Sequence, residues 1–323
     1  MRVLCLTFGD ATTASTFYRI HQYKVPLAER GIDLEIVRAR EFEKWETVSN
    51  YDAVLVQKSL LSVGRVRQLR RAARRLLYDV DDAIWHPHSK QHFVFTRIRQ
   101  ALRLRAITKA ADQCIAANRV LAAHLKRFTG RVAVLPMALD GQLWKTRALP
   151  ENHGKVRIGW AGHPVNFGYL LTVEPALSEV QKQFANVEVV ILSGEKPRFE
   201  RLQFTHIPFA PGKEPEVMRS FDIGLLPLPN DRFAQAKSPI KGLQYLACGT
   251  STVLSPADGA AEMFRDSETG LFAESTAEWS KHLHVLIEQR QMRLKMGMKA
   301  RETFEREFAL KNTAPQFADL LKG

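Results

Sequence analysis

The amino-acid sequence predicts an α/β protein built from two doubly wound parallel sheets. Short apolar runs alternate with helical patterns along the whole chain, which is the pattern of consecutive βαβ units. The runs form two series separated by residues 140–155, whose turn-rich composition is typical of a linker. The length of 323 residues suits about two domains, and 45% apolar with 25% charged residues excludes the disordered, fibrous and coiled-coil classes.

The first series predicts six strands, at residues 3–7, 33–37, 53–57, 76–78, 113–116 and 133–135. The second series predicts six more, at residues 156–160, 187–192, 204–207, 223–226, 252–254 and 271–272. Because no apolar run approaches the ~20 residues that span a bilayer, and the chain opens on a strand, the sequence predicts a cytoplasmic protein without a leader. Three cysteines lie far apart in apolar stretches, which excludes a disulfide framework or a zinc cluster and favours packing roles.

The net charge of +13 lies entirely in the first half of the chain. Residues 1–150 hold 26 Lys and Arg against 13 Asp and Glu, whereas residues 151–323 hold 21 of each. This asymmetry indicates that the first half meets an anionic partner, such as nucleic acid, phospholipid headgroups or an acidic substrate.

Two predicted helices of the first half are strongly basic and contain no acidic residue. In residues 63–77 the packing stripe is Val66, Leu69, Ala73 and Leu76, and the remaining surface is Arg65, Arg67, Arg70, Arg71, Arg74 and Arg75. In residues 93–111 the basic residues are Arg97, Arg99, Arg103, Arg105 and Lys109, around Val94, Ile98, Ala101, Leu104 and Ile107. Two interpretations stay open: solvated surface helices, or faces that contact an anionic membrane or acceptor. The second interpretation assigns that contact to Arg67, Arg70, Arg71 and Arg74.

Residues 231–255, DRFAQAKSPIKGLQYLACGTSTVLS, carry the strongest local signal. Ser238 as N-cap and Pro239 at the first helical position predict a helix start, and Gly249 predicts the helix end. The helix N-terminus offers free N–H groups and a positive dipole end, and Lys237 and Lys241 add two ammonium groups there. The pattern predicts a diphosphate site, with two ordinary surface lysines as the alternative.

The same stretch, KSPIKGLQYLACGTSTVLSPADGAAEMFRDSETGLF, resembles the C-terminal half of the family-four retaining glycosyltransferases, as do Glu278–Trp279 and the MGMKARETFEREF of residues 296–308. The first half agrees, with STFYR at 15–19, LAERG at 27–31, YDVDDAIW at 78–85 and VAVLPMALD at 132–140. The resemblance implies the GT-B fold, in which two Rossmann-like domains face each other across a cleft. It implies an acceptor domain at 1–148, a nucleotide-sugar domain at 149–306 and a final helix at 307–323 that returns to the first domain.

The resemblance also implies a function. The chain would transfer a sugar, with retention, from a UDP- or GDP-linked donor to a glycan or lipid-linked acceptor in polysaccharide or glycolipid assembly. No cofactor and no obligatory metal are implied. The basic half predicts a peripheral position on the inner face of the cell membrane, and nucleic acid is not expected because the basic helices lack interleaved aromatic residues.

Two departures from the family pattern leave other functions open. Ala236 and Gln244 stand where most members have two glutamates, the first binding the sugar and the second the ribose. The amide of Gln244 can still bind a ribose, but Ala236 cannot replace a carboxylate. A non-catalytic nucleotide-sugar-binding or scaffold protein, or an epimerase on the same fold, therefore remains as an alternative.

The remaining candidate residues follow predicted strands. In the second half, Gly162, His163 and Asn166 lie in the loop before a helix predicted at 170–184. They are candidates for phosphate or donor-sugar contacts, with a plain connecting turn as the alternative. His206 lies where the family binds the nucleobase, or is a packed histidine. In the first half, three further candidates are Asp81, Asp82 and Arg19. The two carboxylates are predicted to bind sugar or acceptor hydroxyls and the arginine a diphosphate or the acceptor, with helix capping, a metal site and a plain surface arginine as the alternatives.

Overall fold

A computed structural model describes residues 1–85, 94–146 and 154–323. It contains two compact units, which we call unit 1 (Met1–Ala138, Gln235–Ser238 and Leu310–Gly323) and unit 2 (Leu139–Ala234 and Pro239–Ala309). The predicted boundary between residues 148 and 149 lies outside the described residues. Within the described ranges, every helix is too short or too polar to cross a membrane.

Unit 1 is built around a parallel sheet of six strands: β1 (Arg2–Thr7), β2 (Asp33–Arg38), β3 (Ala53–Gln57), β4 (Leu76–Val80), β5 (Gln113–Ala116) and β6 (Val132–Val134). The α-helices of this part of the chain are α1 (Ala14–Arg19), α2 (Lys24–Ala28), α3 (Val63–Ala72), α4 (Val94–Ala110) and α5 (Arg119–Lys126). The strand order is β2-β1-β3-β4-β5-β6, so the winding of the chain reverses between β1 and β3. In doubly wound sheets, ligands bind at the carboxyl ends of the strands beside such a reversal.

Unit 2 repeats the architecture with β7 (Val156–Ala161), β8 (Val187–Ser193), β9 (Thr205–Pro208), β10 (Ile223–Leu226), β11 (Ser251–Leu254) and β12 (Leu271–Phe272). Its α-helices are α6 (Phe167–Leu171), α7 (Glu174–Gln183), α8 (Glu214–Arg219), α9 (Arg232–Gln235), α10 (Ile240–Cys248), α11 (Asp258–Ala261), α12 (Thr276–Glu288) and α13 (Arg290–Thr303). The order β12-β11-β10-β7-β8-β9 reverses between β7 and β10. The twelve strands predicted from the sequence are all present, with ends that differ by at most two residues.

The last helix, α14 (Leu310–Lys322), belongs to unit 1. Its Phe317 and Leu321 are fully buried in the core that β1, β3, β4 and β5 form. The Phe317 ring meets the Tyr23 ring edge to face at 5.0 Å, and the Tyr23 hydroxyl hydrogen-bonds Thr313 Oγ1 at 2.9 Å. The core of unit 1 is thus completed by residues from the opposite end of the chain.

Three helix predictions need correction. The predicted single helix at 170–184 is two helices, α6 and α7, because Pro175 in the first turn of α7 cannot continue a preceding helix. The basic helix predicted at 63–77 ends at Ala72 as α3, since Leu76 begins β4, and Arg74 and Arg75 therefore lie in the connection. In α4, Ile98 and Ala101 are exposed, and the packed side is formed by Leu104, Ile107 and Thr108 instead.

Candidate functional site

In unit 1 a polar network lies where β3 and β4 end. The Ser15 hydroxyl, at the start of α1, donates to Asp81 Oδ2 at 2.5 Å and accepts from Gln57 Nε2 at 3.1 Å. The Lys58 ammonium pairs with the carboxylate of Asp82 and lies 3.4 Å from Asp81 Oδ1, an oxygen that has no hydrogen-bond partner among the described residues. The structure therefore brings the predicted pair, Asp81 and Asp82, together around a lysine that the predictions did not include.

Lys58 adopts a left-handed backbone conformation, with φ 58°, directly after β3. A residue with a Cβ reaches this region at a cost of about 1 kcal/mol or more, and such strain is concentrated at functional sites. The turn points the ammonium group to the carboxyl edge of the sheet, where its N–H groups also reach Ser15 Oγ at 3.4 Å.

The electrostatics of the network keep the lysine charged. Burial raises the pKa of Asp81, and the Lys58 charge only partly opposes this effect. Burial alone would lower the pKa of Lys58, but the charges of Asp81 and Asp82 outweigh it and raise that pKa. A crevice of about 510 Å³ has Phe8, Asp10, Arg38 and Ser59 in its lining, and Lys58 Nζ lies 5.8 Å from the centroid of the Phe8 ring.

Arg19 lies beneath this network and is not at the surface. Its guanidinium and the Asp79 carboxylate are each 1% exposed and form a two-pronged ion pair, with Nε donating to Oδ2 at 3.1 Å. The guanidinium also donates to the carbonyl oxygens of Leu135 at 2.7 Å and Pro136 at 3.2 Å. This placement gives Arg19 the geometry of a positioning residue that ties α1 to β4 and to the segment after β6.

In unit 2 the predicted loop lies at the carboxyl end of β7, beside the reversal of the winding. A Cβ on Gly162 would stand 2.3 Å from the Trp160 indole, so only glycine fits at this position. His163 caps the short 3-10 turn Pro164–Asn166 by accepting at Nδ1 from the Val165 N–H at 3.2 Å. His163 is exposed and both Gly162 and Asn166 are partly exposed, so all three can reach a ligand.

Helix α10 ends as predicted but begins one residue late. Gly249 closes it in the left-handed region, with φ 68°. Pro239 is the N-cap, with an extended ψ of 105°, and makes no side-chain cap. Ser238 does not cap the helix, and its hydroxyl accepts from Asn118 Nδ2 at 2.8 Å.

The two predicted lysines have different surroundings. Lys241 Nζ donates to Glu214 Oε1 of α8 at 2.8 Å, so its charge is already paired. Lys237 is partly exposed and engages no acidic side chain in the described part of the chain.

The two positions that depart from the family pattern are both buried. The carbonyl of Ala236 accepts from Asn118 Nδ2 at 2.9 Å, which fixes the loop before α10. Gln244 lies on α10 next to Tyr245, whose hydroxyl oxygen lies 3.3 Å from a carbonyl oxygen of β7 and 3.3 Å from one of β10. His206 lies partly buried on β9, with Nε2 3.1 Å from the Ser193 carbonyl oxygen.

Only part of the predicted arginine face is available to contact a membrane or an acceptor. Arg67, Arg71 and Arg74 are exposed, but Arg70 is half-buried and donates to Asp112 Oδ2 at 2.5 Å. Arg74 lies 3.7 Å from an Asp52 carboxylate oxygen. Acidic residues from other elements thus neutralise two of the four arginines.

Lys58, Gln57 and Asn118 are site residues that sequence reasoning missed. Lys58 directly follows a predicted strand, which is the rule that selected Asp81 and Asp82, so the signal was present. Asn118 stands between β5 and α5, and its Oδ1 caps the helix by accepting from the Leu121 N–H at 2.8 Å. In residues 1–85, 94–146 and 154–323, no three His, Cys, Asp or Glu side chains are grouped so as to hold a metal ion.

Known proteins resemble the chain in sequence over its second half and in structure over its whole length. A family model described as glycosyl transferase-like matches residues 174–319. Comparison with curated protein sequences gives no match. The architecture is the GT-B fold, two six-stranded parallel sheets of the α/β class.

Three solved structures illustrate the likeness. Sucrose-phosphate synthase from Thermosynechococcus elongatus has a TM-score of 0.74 at 15% identity, over 99% of this chain and 98% of that chain. Anabaena HepE in complex with UDP has a TM-score of 0.71 at 17% identity over 100% of both chains, and HepE has also been solved with UDP-glucose. WaaG, a glycosyltransferase of lipopolysaccharide biosynthesis, has a TM-score of 0.66 at 14% identity, also over 100% of both chains.

Proposed function

We propose that this chain is a retaining glycosyltransferase of the family-four type, which moves a sugar from a nucleotide-sugar to a glycan or lipid-linked acceptor. The observation that carries the proposal is the glycosyl transferase-like match over residues 174–319. That range includes α10 and the residues before it, where the sequence predicts a diphosphate site.

The donor binds through residues at the carboxyl edge of the second sheet and around the start of α10. Gly162, His163 and Asn166 contact the sugar or phosphate, and Gln244 contacts the ribose. Lys237, Ser238 and Lys241 hold the diphosphate with the help of the helix N-terminus. The GT-B structure of HepE with UDP-glucose supports a donor of this class.

The acceptor binds in unit 1, in the crevice beside Lys58. An acceptor hydroxyl donates to Asp82 or Asp81, and the charged Lys58 holds these carboxylates in place. As the acceptor oxygen attacks the anomeric carbon, the bond to the diphosphate breaks and the departing phosphate takes the acceptor proton. Catalysis then depends on positioning and on cations at the leaving group.

The first experiment is a thermal-shift and calorimetry panel of UDP, GDP, CMP and dTDP sugars. A ligand at 100 times its Kd stabilises the native state by about 2.7 kcal/mol, so the correct donor raises the Tm. Lys237→Ala weakens nucleoside-diphosphate binding by ~1–3 kcal/mol, the range for a charged hydrogen bond. We expect a smaller loss for Lys241→Ala, because Lys241 must first leave Glu214.

The matched control is Lys281→Ala, which removes an exposed lysine from α12 and leaves nucleotide binding unchanged. Slow hydrolysis of the bound donor, or transfer to an acceptor extract, separates an enzyme from the alternatives. Binding without turnover identifies the non-catalytic protein that Ala236 suggests. A change in the configuration of the nucleotide-sugar identifies an epimerase, and absence of all nucleotide binding contradicts the proposal.

A further inference from the structure

Helix α4 presents a row of apolar side chains to solvent. Phe95 is 83% exposed, Ile98 51% and Leu102 57%. Their spacing of three and four residues places them on one face, and the opposite face packs through Leu104 and Ile107. Single exposed apolar residues are common, but a continuous row of large ones indicates a contact surface.

The same helix is basic. Arg97, Arg99, Arg105 and Lys109 are exposed, and Arg105 and Lys109 continue the apolar row over the next two turns. Residues 94–110 contain no acidic residue, and across the described ranges no acidic side chain pairs with any of the four. On α3 and just after it, by contrast, Arg70 and Arg74 are neutralised by Asp112 and Asp52.

We propose that α4 docks on an anionic phospholipid surface, with Phe95, Ile98 and Leu102 at the boundary between headgroups and acyl chains. An anionic membrane has negatively charged headgroups at its surface and apolar acyl chains beneath them. A helix with apolar and basic residues on one exposed side can contact both the acyl chains and the headgroups. The basic residues of α4 are complementary to an anionic surface. The adjoining row of Phe95, Ile98 and Leu102 indicates a surface into which apolar side chains can insert, as they can into a lipid membrane. This docking is independent of the chemistry proposed above.

The experiment is sedimentation of the full chain with vesicles of phosphatidylcholine alone and of phosphatidylcholine with phosphatidylglycerol. Wild type binds the anionic vesicles, and binding falls but persists when salt rises above about 0.1 M, because salt screens the charges and not the apolar contacts. Phe95→Ser with Ile98→Ser and Leu102→Ser lowers the partition coefficient by roughly 100-fold. Arg97→Glu with Arg99→Glu and Arg105→Glu lowers it by a similar factor on anionic vesicles only.

The matched control removes three exposed apolar side chains elsewhere, through Val25→Ser, Leu143→Ser and Met298→Ser, and keeps wild-type binding. We expect the Tm of all three variants to equal that of wild type, because every substituted residue is exposed. An unchanged Tm shows that a variant is folded. Equal binding by wild type and the α4 serine variant overturns the proposal, as does an equal loss in the control. Absence of wild-type binding also overturns it, and would assign the surface to an acidic protein.

Discussion

At the scale of single residues, the buried pair Arg19–Asp79 holds unit 1 together beneath its polar network. Taking two charges out of water is costly. The two-pronged geometry of the pair and the two carbonyl oxygens that accept from Arg19 Nη1 offset this cost. Loss of one partner would leave the other charge buried without compensation.

We expect Arg19→Met to lower the free energy of unfolding by about 3–5 kcal/mol, because it leaves the Asp79 carboxylate unpaired in the core. Urea unfolding followed by circular dichroism measures the change. The double variant Arg19→Met with Asp79→Leu recovers much of the loss, since it removes both charges. Arg2→Ala, which breaks the exposed pair with Glu35, costs less than about 1 kcal/mol. A loss as small for Arg19→Met would contradict the structural role.

The raised pKa of Asp81 leads to a second prediction for a single residue, which concerns how stability depends on pH. The folded state holds the Asp81 proton more tightly than the unfolded chain, so this group contributes stability below its ordinary pKa of 3.8. That contribution is lost as pH rises through the raised pKa. The Tm of wild type minus that of Asp81→Asn should therefore fall as pH increases from about 4.

Asp10→Asn is the control with the opposite sign. Hydrogen bonds from Thr12 lower the pKa of Asp10, so its contribution appears as pH rises and is lost as pH falls. If the difference in Tm between wild type and variant changed with pH in the same direction for Asp81→Asn and Asp10→Asn, the raised pKa of Asp81 would be contradicted.

Site residues could be predicted from the sequence where their position relative to a strand identifies them. Residues directly after a parallel strand lie at the ligand edge, and this rule found Asp81, Asp82 and Gly162. The pairing of Arg19 with Asp79, 60 positions apart, and of Lys241 with Glu214 depends on tertiary contacts that carry no local signal.

At the scale of elements, α10 and α13 approach closely through two glycines. A Cβ on Gly297 would lie 2.2 Å from the Gly249 carbonyl oxygen, and a Cβ on Gly249 would lie 3.2 Å from the Gly297 carbonyl oxygen. Because the neighbour is a backbone atom, a side chain at Gly297 forces the helices apart, and a side chain at Gly249 is also disfavoured by the left-handed φ of 68°. This contact fixes the position of α10 and hence of its N-terminus.

Gly297→Ala should destabilise unit 2 by about 1–3 kcal/mol or more through this clash. The matched control is Gly64→Ala in α3, where no atom lies within 4 Å of the added Cβ. There alanine should stabilise the protein by ~0.5–1 kcal/mol, because it restricts the unfolded chain and favours the helix. Thermal unfolding of both variants tests the pair, and similar Tm values would contradict the close packing.

Strands were easier to predict than helix ends. A short apolar run between turns has few alternatives in a chain of βαβ units, and all twelve strands are present. Helix ends depend on competition for partners. Ser238 has a side chain that is favoured at the N-cap, yet its hydroxyl accepts a hydrogen bond from Asn118 and the N-cap is Pro239.

At the scale of the whole molecule, the alternation of elements and the turn-rich segment at 140–155 are enough to predict two parallel α/β sheets, and motif resemblance adds the GT-B fold. The assignment of α14 to unit 1 could be expected only from that resemblance, because its amphipathic sequence fits any apolar surface. The outward apolar row of α4 could not be predicted. Its residues have the spacing of a packing stripe, and only the structure shows that this side faces solvent.

The return of α14 to unit 1 affects how the chain folds during synthesis. Thr313 leaves the ribosome 290 residues after Tyr23, which at about 5–20 residues per second is a delay of roughly 15–60 seconds. Throughout that interval the surface around Tyr23 lacks Phe317 and Leu321, and apolar side chains stay open to water. The core of unit 1 therefore stays incomplete while all of unit 2 is made, and it exposes apolar surface of the kind that makes a nascent chain prone to aggregation.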